Sequence, residues 1–298
     1  MQEEPSRPRR SGAASVILCV ARHQDTPIAA AHGLLSAAEL ERARRVTHHG
    51  AWLQFVLTRG LLRLLLGHCT GRPPRSFAID ADDGRAPCLV DNPWRLHFNV
   101  SHGDEYAAIA IGHSPLGIDI ERIDADCDWE TIAETCFHAD EQMRLRHTPK
   151  ADRLATFFEI WTRKEAYLKG VGTGLSNDPA LFSTARDDGV VAPFQCAAPS
   201  ALTWYTQPIA APAGYQCALA NPFKQLSITC VDAAMLLGNL PPAARFAPGQ
   251  NKNRVAPRMP GTNRERRVTY RGRHRFARAD DTCRFGAVEE CHEINSGL

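Results

Sequence analysis

The chain has 298 residues, of which 44% are hydrophobic and 23% are charged, and its formal net charge is +2. These values are typical of a globular enzyme with one large or two small domains, and no apolar run approaches the ~20 residues that span a bilayer. The ten cysteines contain no CxxC or CxxxC pair, which argues against a zinc ribbon, a zinc finger or a thioredoxin-like site. We therefore expect a protein of the reducing cytoplasm without a membrane segment.

The first part of the chain predicts alternating strands and helices. Basic residues precede a short apolar stretch over 16–21, which we interpret as a first core strand; a secretory signal is the alternative interpretation. Ser36 is a candidate N-cap for the helix that follows it, and the leucine-rich segment 51–68 has the apolar spacing of a core helix. Two short strands are predicted on either side of a polar loop, over 97–100 and 106–111.

The second part continues the same pattern. The segment "LGIDIERI" at 116–123 predicts a strand, residues 129–147 predict a helical region, and 153–169 predict a regular helix. Loops and strands follow to about residue 231, including the strand candidates "GYQCALA" and "QLSITCV".

The composition changes beyond about residue 240. Residues 241–298 contain 12 Lys and Arg but only 6 Asp and Glu, with few large aliphatic side chains and no sustained helix or strand period. We interpret 240–298 as a basic extension that is disordered or loosely attached. A nucleic-acid-binding arm is the alternative.

One carboxylate of the predicted helix 153–169 is expected to point inward. At about 100° per residue, the apolar side chains Leu154, Phe157, Phe158, Trp161 and Leu168 form a core-facing stripe. Glu165 falls inside this stripe, while Lys164 and Lys169 lie at its edges. Because a bare buried charge is prohibitive, Glu165 needs a partner, a proton or a cation. An ion pair with Lys169 four residues later is the simplest alternative.

Two more carboxylates share one face of the predicted strand. Asp119 and Glu121 alternate with Ile118 and Ile120, so the acidic pair faces away from the isoleucines. Together with Glu165 they form a set of hard oxygen ligands, which suits Mg²⁺, or Mn²⁺, shared with a substrate pyrophosphate. A solvated acidic face is the alternative. We interpret Asp124, just beyond the pair, as a turn residue.

Several motifs resemble those of the 4′-phosphopantetheinyl transferases. "GIDIE" at 117–121, followed by "WTRKEAYLKGVGTGL" at 161–175, resembles the paired signature of this family, most closely the surfactin-synthetase-activating (Sfp-like) class with two fused halves. The intervening "CFHADE", the upstream "FNVSH" at 98–102 and "DGRAP" at 83–87, which contains an inserted alanine, resemble further family segments. The resemblance covers about 14–231 and leaves out the basic extension.

The resemblance implies an α/β (α+β) fold of two similar subdomains related by a pseudo-twofold axis. The first half would comprise 14–112 and the second 113–231, with the metal and catalytic motifs in the second half. We expect a monomer.

The resemblance also implies a reaction. Such enzymes transfer the 4′-phosphopantetheine arm of coenzyme A to a serine hydroxyl of an acyl or peptidyl carrier protein and release 3′,5′-ADP. By position, Asp119, Glu121 and Glu165 would hold Mg²⁺ on the pyrophosphate. Glu165 would also be the candidate base for the serine, directly or through water, and Lys169 would stabilise or protonate the departing phosphate.

Coenzyme A contacts follow from the same comparison of motifs. The candidate binding residues are Arg85, Ser101, His102, Lys164 and Lys169. The family commonly has a basic residue near the start of the helix over 51–68, where this chain has Gln54. The candidate replacements are Arg45, Arg59, His48 and His49. Gly170 is interpreted either as part of a phosphate-binding loop or as the stop of the preceding helix.

Three other functions stay open at this point. A magnesium-dependent nucleotide pyrophosphohydrolase would use the same carboxylates, and a nucleic-acid-binding protein would act through the arginine-rich extension. A family member that has lost activity is the third alternative, because of Gln54 and the extension.

Overall fold

The computed structural model describes residues 14–80, 87–172, 178–186, 189–193 and 202–238. Arg85 and the basic extension over 240–298 lie outside the described residues, so the predictions for them stay predictions. No helix in these ranges has the length and apolar character that a membrane span requires.

Within the described residues, the first half of the fold contains five strands and three helices. They are β1 (Ala14–Arg22), α1 (Ile28–Leu34), α2 (Ala37–Arg45), α3 (His49–Thr70), β2 (Ile79–Asp80), β3 (Cys88–Leu89), β4 (His97–Gly103) and β5 (Tyr106–Gly112). The predicted strands and the predicted core helix of this half are confirmed.

The second half continues with β6 (Gly117–Arg122), α4 (Trp129–Cys136), α5 (Ala139–His147), α6 (Arg153–Val171), β7 (Phe182–Ser183), β8 (Ala192–Pro193), β9 (Tyr205–Pro208) and β10 (Tyr215–Asn221). The chain then forms β11 (Leu226–Cys230) and α7 (Ala233–Gly238). The predicted helical region over 129–147 is two helices, since His138 caps a new helix through its side chain and a reciprocal bond with Glu141.

The two halves repeat one topology. In the first half β5 pairs antiparallel with both β1 and β4, and in the second half β10 pairs antiparallel with both β6 and β9. In chain order, each half therefore consists of a strand, three helices, a small two-stranded hairpin and a final hairpin. The last strand of the final hairpin lies between the first strand and its hairpin partner in the main sheet of that half. This repetition confirms the mixed α/β class with two similar halves.

One strand crosses from the second half to the first. β11 pairs in parallel with the outer edge of β1, although the predicted division assigned all of 113–231 to the second half. Without β11 the outer edge of β1 would be exposed, and its unpaired N–H and C=O groups would need a partner. This requirement explains why β11 joins the first sheet. The first sheet thus has the order β11-β1-β5-β4.

Local sequence signals account for the helix ends. Ser36 caps α2 as predicted: its hydroxyl accepts from Glu39 N at 3.3 Å, and Ser36 N donates to Glu39 Oε2 at 2.9 Å. α3 ends at Gly71, whose φ of 71° lies in the left-handed region that glycine adopts without strain.

The two sheets share a core. α3 packs its leucines on one face of the first sheet. The opposite face of that sheet, with Val16, Leu18 and Ala110, meets Ile118 and Ile120 of β6. β4 and β6, each at the edge of its own sheet, therefore lie next to each other at the junction of the halves.

A partly buried histidine at the end of β1 makes stability depend on pH. Burial lowers the pKa of His23 below 6.5, although a hydrogen bond to the backbone of Asp104 opposes this. In the window just below 6.5 the unfolded chain binds a proton that the folded protein does not, so stability is lost as the pH falls. We expect the thermal midpoint to drop between about pH 7.5 and about pH 5.5, and the drop to shrink in His23→Gln. Equal drops in His23→Gln and in the wild type would contradict this; His68→Gln, at an exposed position, is the control.

Candidate active site

β6 places a carboxylate in the interior of the protein. Asp119 is 0% exposed, and it lies between Ile118 and Ile120, which are also fully buried. Glu121 is two residues further along, so strand alternation puts it on the same face as Asp119, and it is only partly buried. Asp124 accepts from Asp126 N at 3.0 Å and forms a turn, as predicted.

α6 brings a second carboxylate and a lysine to the same place. Glu165 is 4% exposed, which confirms the inward orientation predicted from helix periodicity. Lys169, one turn later, donates from Nζ to Asp119 Oδ1 at 2.7 Å and to Ser101 Oγ at 3.0 Å. The predicted helix and the predicted strand therefore meet, and Lys169 joins them.

The close approach of α6 to β6 requires two glycines. A side chain at Gly117 would overlap the α6 backbone at Ala166 and Gly170. A side chain at Gly170 would lie 2.6 Å from the ring of Trp204. Gly170 is therefore a packing residue inside α6 and not its stop, because the helix ends with Gly172 in the left-handed conformation.

Ser101 of β4 completes the cluster from the first half. Its hydroxyl donates to Asp119 Oδ1 at 2.8 Å and accepts from Lys169 Nζ at 3.0 Å and from Ile120 N at 3.3 Å. These three bonds use its donor and both of its acceptor positions. The buried hydroxyl thus orients Asp119 and Lys169, and the predicted contact of Ser101 with coenzyme A stays a prediction.

His102 lies on the other side of β4. Side chains alternate along a strand, so His102 shares a face with Phe98 and Val100, which pack towards α3. It is partly buried and separated by the sheet from the cluster around Asp119. Its predicted contact with coenzyme A stays a prediction.

The charges of the cluster influence each other. Burial raises the pKa of Asp119, and the Glu165 carboxylate raises it further, while the Lys169 ammonium lowers it. Burial lowers the pKa of Lys169, but the carboxylates of Asp119, Glu165 and Glu121 outweigh burial and raise it above its usual value. Lys169 is therefore cationic at neutral pH, and it is directed at the carboxylates.

The metal site predicted from Asp119, Glu121 and Glu165 stays a prediction. Across the described ranges, no group of three or more His, Cys, Asp or Glu side chains has a metal-holding arrangement. Lys169 supplies the positive charge at Asp119 Oδ1 instead. Asp119 Oδ2, however, is buried without a hydrogen-bond partner among the residues described, and such an oxygen costs free energy unless a cation or donor meets it. This free hard oxygen fits Mg²⁺.

Lys164 forms a buried ion pair with Glu141. It is 0% exposed, and its Nζ lies 2.6 Å from Glu141 Oε2 and donates to the carbonyl oxygens of Pro179 at 2.8 Å and Phe182 at 2.7 Å. All three N–H donors of the ammonium are thus used. The side chain has neither exposure nor a free donor in this structure, and its predicted contact with coenzyme A stays a prediction.

Sequence reasoning missed Glu141 as the partner of Lys164. Glu141 also accepts from His138 N at 2.9 Å and from Thr184 N at 2.7 Å. The available signal was the spacing of His138 and Glu141, three residues apart, which is that of a capping box. The spacing predicts the cap but not the buried ion pair.

Among the candidates for the missing basic residue near Gln54, Arg59 is partly buried, and its role stays a prediction. Its guanidinium lies 5.8 Å from the centre of the Phe55 ring, and burial lowers its pKa. Its Nη1 is buried and makes no hydrogen bond within the described part of the chain. Arg45, in contrast, is exposed.

Comparisons with known proteins point to one family. Residues 115–220, which include Asp119, Glu121, Glu165 and Lys169, match the family model for the 4′-phosphopantetheinyl transferase superfamily. The chain is 30% identical over 169 residues to the 4′-phosphopantetheinyl transferase Sfp of Bacillus subtilis strain 168, which covers 53% of this chain and 69% of that protein.

Two further relatives match over shorter segments. Identity is 45% over 80 residues with the 4′-phosphopantetheinyl transferase gsp of Aneurinibacillus migulanus, or 27% of this chain and 33% of that protein. It is 35% over 145 residues with the 4′-phosphopantetheinyl transferase HetI of Nostoc sp. strain PCC 7120, or 48% of this chain and 61% of that protein. The chain thus spans between a third and two thirds of the length of these two relatives.

Proposed function

Because the chain belongs to the 4′-phosphopantetheinyl transferase superfamily, we propose that it transfers the 4′-phosphopantetheine arm of coenzyme A to a serine hydroxyl of an acyl or peptidyl carrier protein. The observation that carries the proposal is the cluster of buried Asp119, buried Ser101 and partly buried Lys169, with Glu165 on the same helix as Lys169. A lysine held against carboxylates at the junction of two halves is suited to binding a pyrophosphate.

The proposed reaction breaks one phosphoanhydride bond. The serine oxygen attacks the phosphorus that carries pantetheine, the bond from this phosphorus to the bridging oxygen breaks, and 3′,5′-ADP leaves. Glu165 accepts the serine proton, and the Lys169 ammonium stabilises the negative charge on the departing phosphate. Positioning and charge neutralisation supply most of the catalysis in such transfers.

Asp119, Glu121 and Glu165 are the residues that would hold Mg²⁺. When bound, the ion neutralises charge on the pyrophosphate and polarises its oxygens. Asp119 supports this assignment best, since its second carboxylate oxygen is buried and has no hydrogen-bond partner in the described ranges.

Carrier loading tests the proposal directly. The purified full chain is incubated with coenzyme A, Mg²⁺ and an apo carrier protein, and the intact mass of the carrier is measured. Transfer is expected to add about 340 Da, the mass of the phosphopantetheine group. Cleavage of coenzyme A without a change in the carrier would favour the pyrophosphohydrolase instead.

Replacing Glu165 with glutamine is expected to lower kcat for carrier loading by about 100- to 10,000-fold, because a positioned general base contributes on this order. Glutamine keeps the size of the side chain, so the thermal midpoint checks that the fold is retained. Glu159→Gln is the matched control, since Glu159 lies on the same helix but forms partly buried ion pairs with Arg144 and Arg163. Equal rates for the two variants would contradict the role of Glu165.

A further inference from the structure

Two strands that belong to different sheets are joined by side chains at the junction of the halves. β4 and β6 are edge strands of separate sheets. Ile118 N donates to Asn99 Oδ1 at 3.0 Å, and Ile120 N donates to Ser101 Oγ at 3.3 Å. Side-chain oxygens of β4 thus take the place that backbone carbonyls hold in a normal ladder. We call this contact the β4–β6 seam.

A glycine continues the seam on β4. Asn99, Ser101 and Gly103 alternate along β4, so they face β6 together. A Cβ at Gly103 would lie 2.7 Å from the carbonyl oxygen of Ile120, closer than real Cβ contacts allow. The seam therefore sets both the lateral position and the closest approach of β6.

The seam acts on the strand that carries Asp119. Asp119 lies between Ile118 and Ile120, whose N–H groups bond to β4. On the other edge of β6, Asp119 pairs with Ala218 of β10. Ser101 also touches Asp119 and Lys169 directly. Asn99, which is 7% exposed, bonds instead to the backbone of β6.

We propose that Asn99 is a positioning residue for the transfer: by accepting the hydrogen bond from Ile118 N, it fixes Asp119 relative to Lys169 across the two halves. This inference rests on the proposed function. The reason for an effect on rate is geometric, because a displacement of about 1 Å at a reacting site can cost about 100-fold in rate.

Asn99→Leu in the full chain tests the inference. Leucine keeps the approximate volume but has no acceptor. We expect kcat for carrier loading to fall by about 10- to 100-fold with little change in the KM for the carrier. Amide hydrogen exchange at Ile118, followed by NMR, is expected to become faster in the variant, whereas exchange at Ile120 changes less because Ser101 still accepts from it.

Asn221→Leu is the matched control, since Asn221 is also a buried asparagine, and its Oδ1 accepts from Phe223 N at 2.6 Å, away from the seam. An unchanged kcat in Asn99→Leu, or an equal fall in Asn221→Leu, would overturn the inference. If Asn99→Leu does not fold, Gly103→Ala perturbs the same seam by steric contact, and an unchanged kcat there overturns it.

The two proposals fail in different ways. A wild-type protein that loads no carrier defeats the proposed function, while amide exchange at Ile118 still reports whether Asn99 holds β6. A wild-type protein that loads the carrier, with Asn99→Leu equally fast, defeats only the inference about Asn99.

Discussion

Replacing Lys164 with methionine is expected to lower the free energy of unfolding by about 3–5 kcal/mol, because removing one partner of a buried ion pair leaves the other charge uncompensated. Glu141 would keep its bonds to His138 N and Thr184 N but lose the ammonium 2.6 Å away. The carbonyl oxygens of Pro179 and Phe182 would lose their donor as well. Denaturant unfolding of the wild type and the variant measures the difference.

The double variant Lys164→Met with Glu141→Gln separates the lost charge from lost packing. Neutralising Glu141 removes the uncompensated charge, so we expect the double variant to be more stable than Lys164→Met alone. Lys150→Met, at an exposed lysine just before α6, serves as the control and is expected to stay within about 0.5 kcal/mol of the wild type. A double variant no more stable than the single one would contradict the ion-pair explanation.

The sequence predicted those parts of the site that depend on periodicity within one element. Helix spacing placed Glu165 among apolar side chains, and strand alternation placed Asp119 and Glu121 on one face. Both patterns follow from the geometry of a single helix or strand, so they need no knowledge of the neighbours. The same holds for Ser36, whose capping box is local.

Contacts between elements could not be predicted in this way. Lys164 lies one position before Glu165. Helix periodicity predicts the direction of its side chain, but it does not predict that the partner is Glu141 of α5. Ser101 was assigned to coenzyme A, although its bonds depend on β4 meeting β6 from another sheet. The seam joins residues that are 19 positions apart through side chains, a pairing that no hydrophobic pattern encodes.

Two glycines have a packing role that the sequence did not predict. Gly117 belongs to the predicted strand, and Gly170 is interpreted from the sequence as part of a phosphate-binding loop or as a helix stop. In the fold they allow the backbones of β6 and α6 to approach closely. This close approach lets Lys169 reach Asp119. The two glycines thus help to form the site although they have no side chain.

Replacing Asp119 with asparagine is expected to lower kcat for carrier loading by about 100- to 1,000-fold, a loss comparable to removing one preorganised electrostatic contact in an enzyme site. Asparagine keeps the shape and one acceptor oxygen for Ser101 and Lys169. It removes the charge opposite the Lys169 ammonium and replaces the buried oxygen that fits Mg²⁺ by a donor. Both changes act on the charges that bind the pyrophosphate.

Asp124→Asn is the matched control for Asp119→Asn. Asp124 lies five residues further along the chain, at the surface, where it bonds to Asp126 N and to Arg122. We expect its kcat to equal that of the wild type, since a solvated turn carboxylate contributes little to a distant site. Thermal midpoints of both variants confirm folding, and isothermal titration of each with coenzyme A separates binding from turnover. If Asp119→Asn loads the carrier as fast as Asp124→Asn, the Asp119 carboxylate has no part in the transfer, and Lys169 and Glu165 act without it.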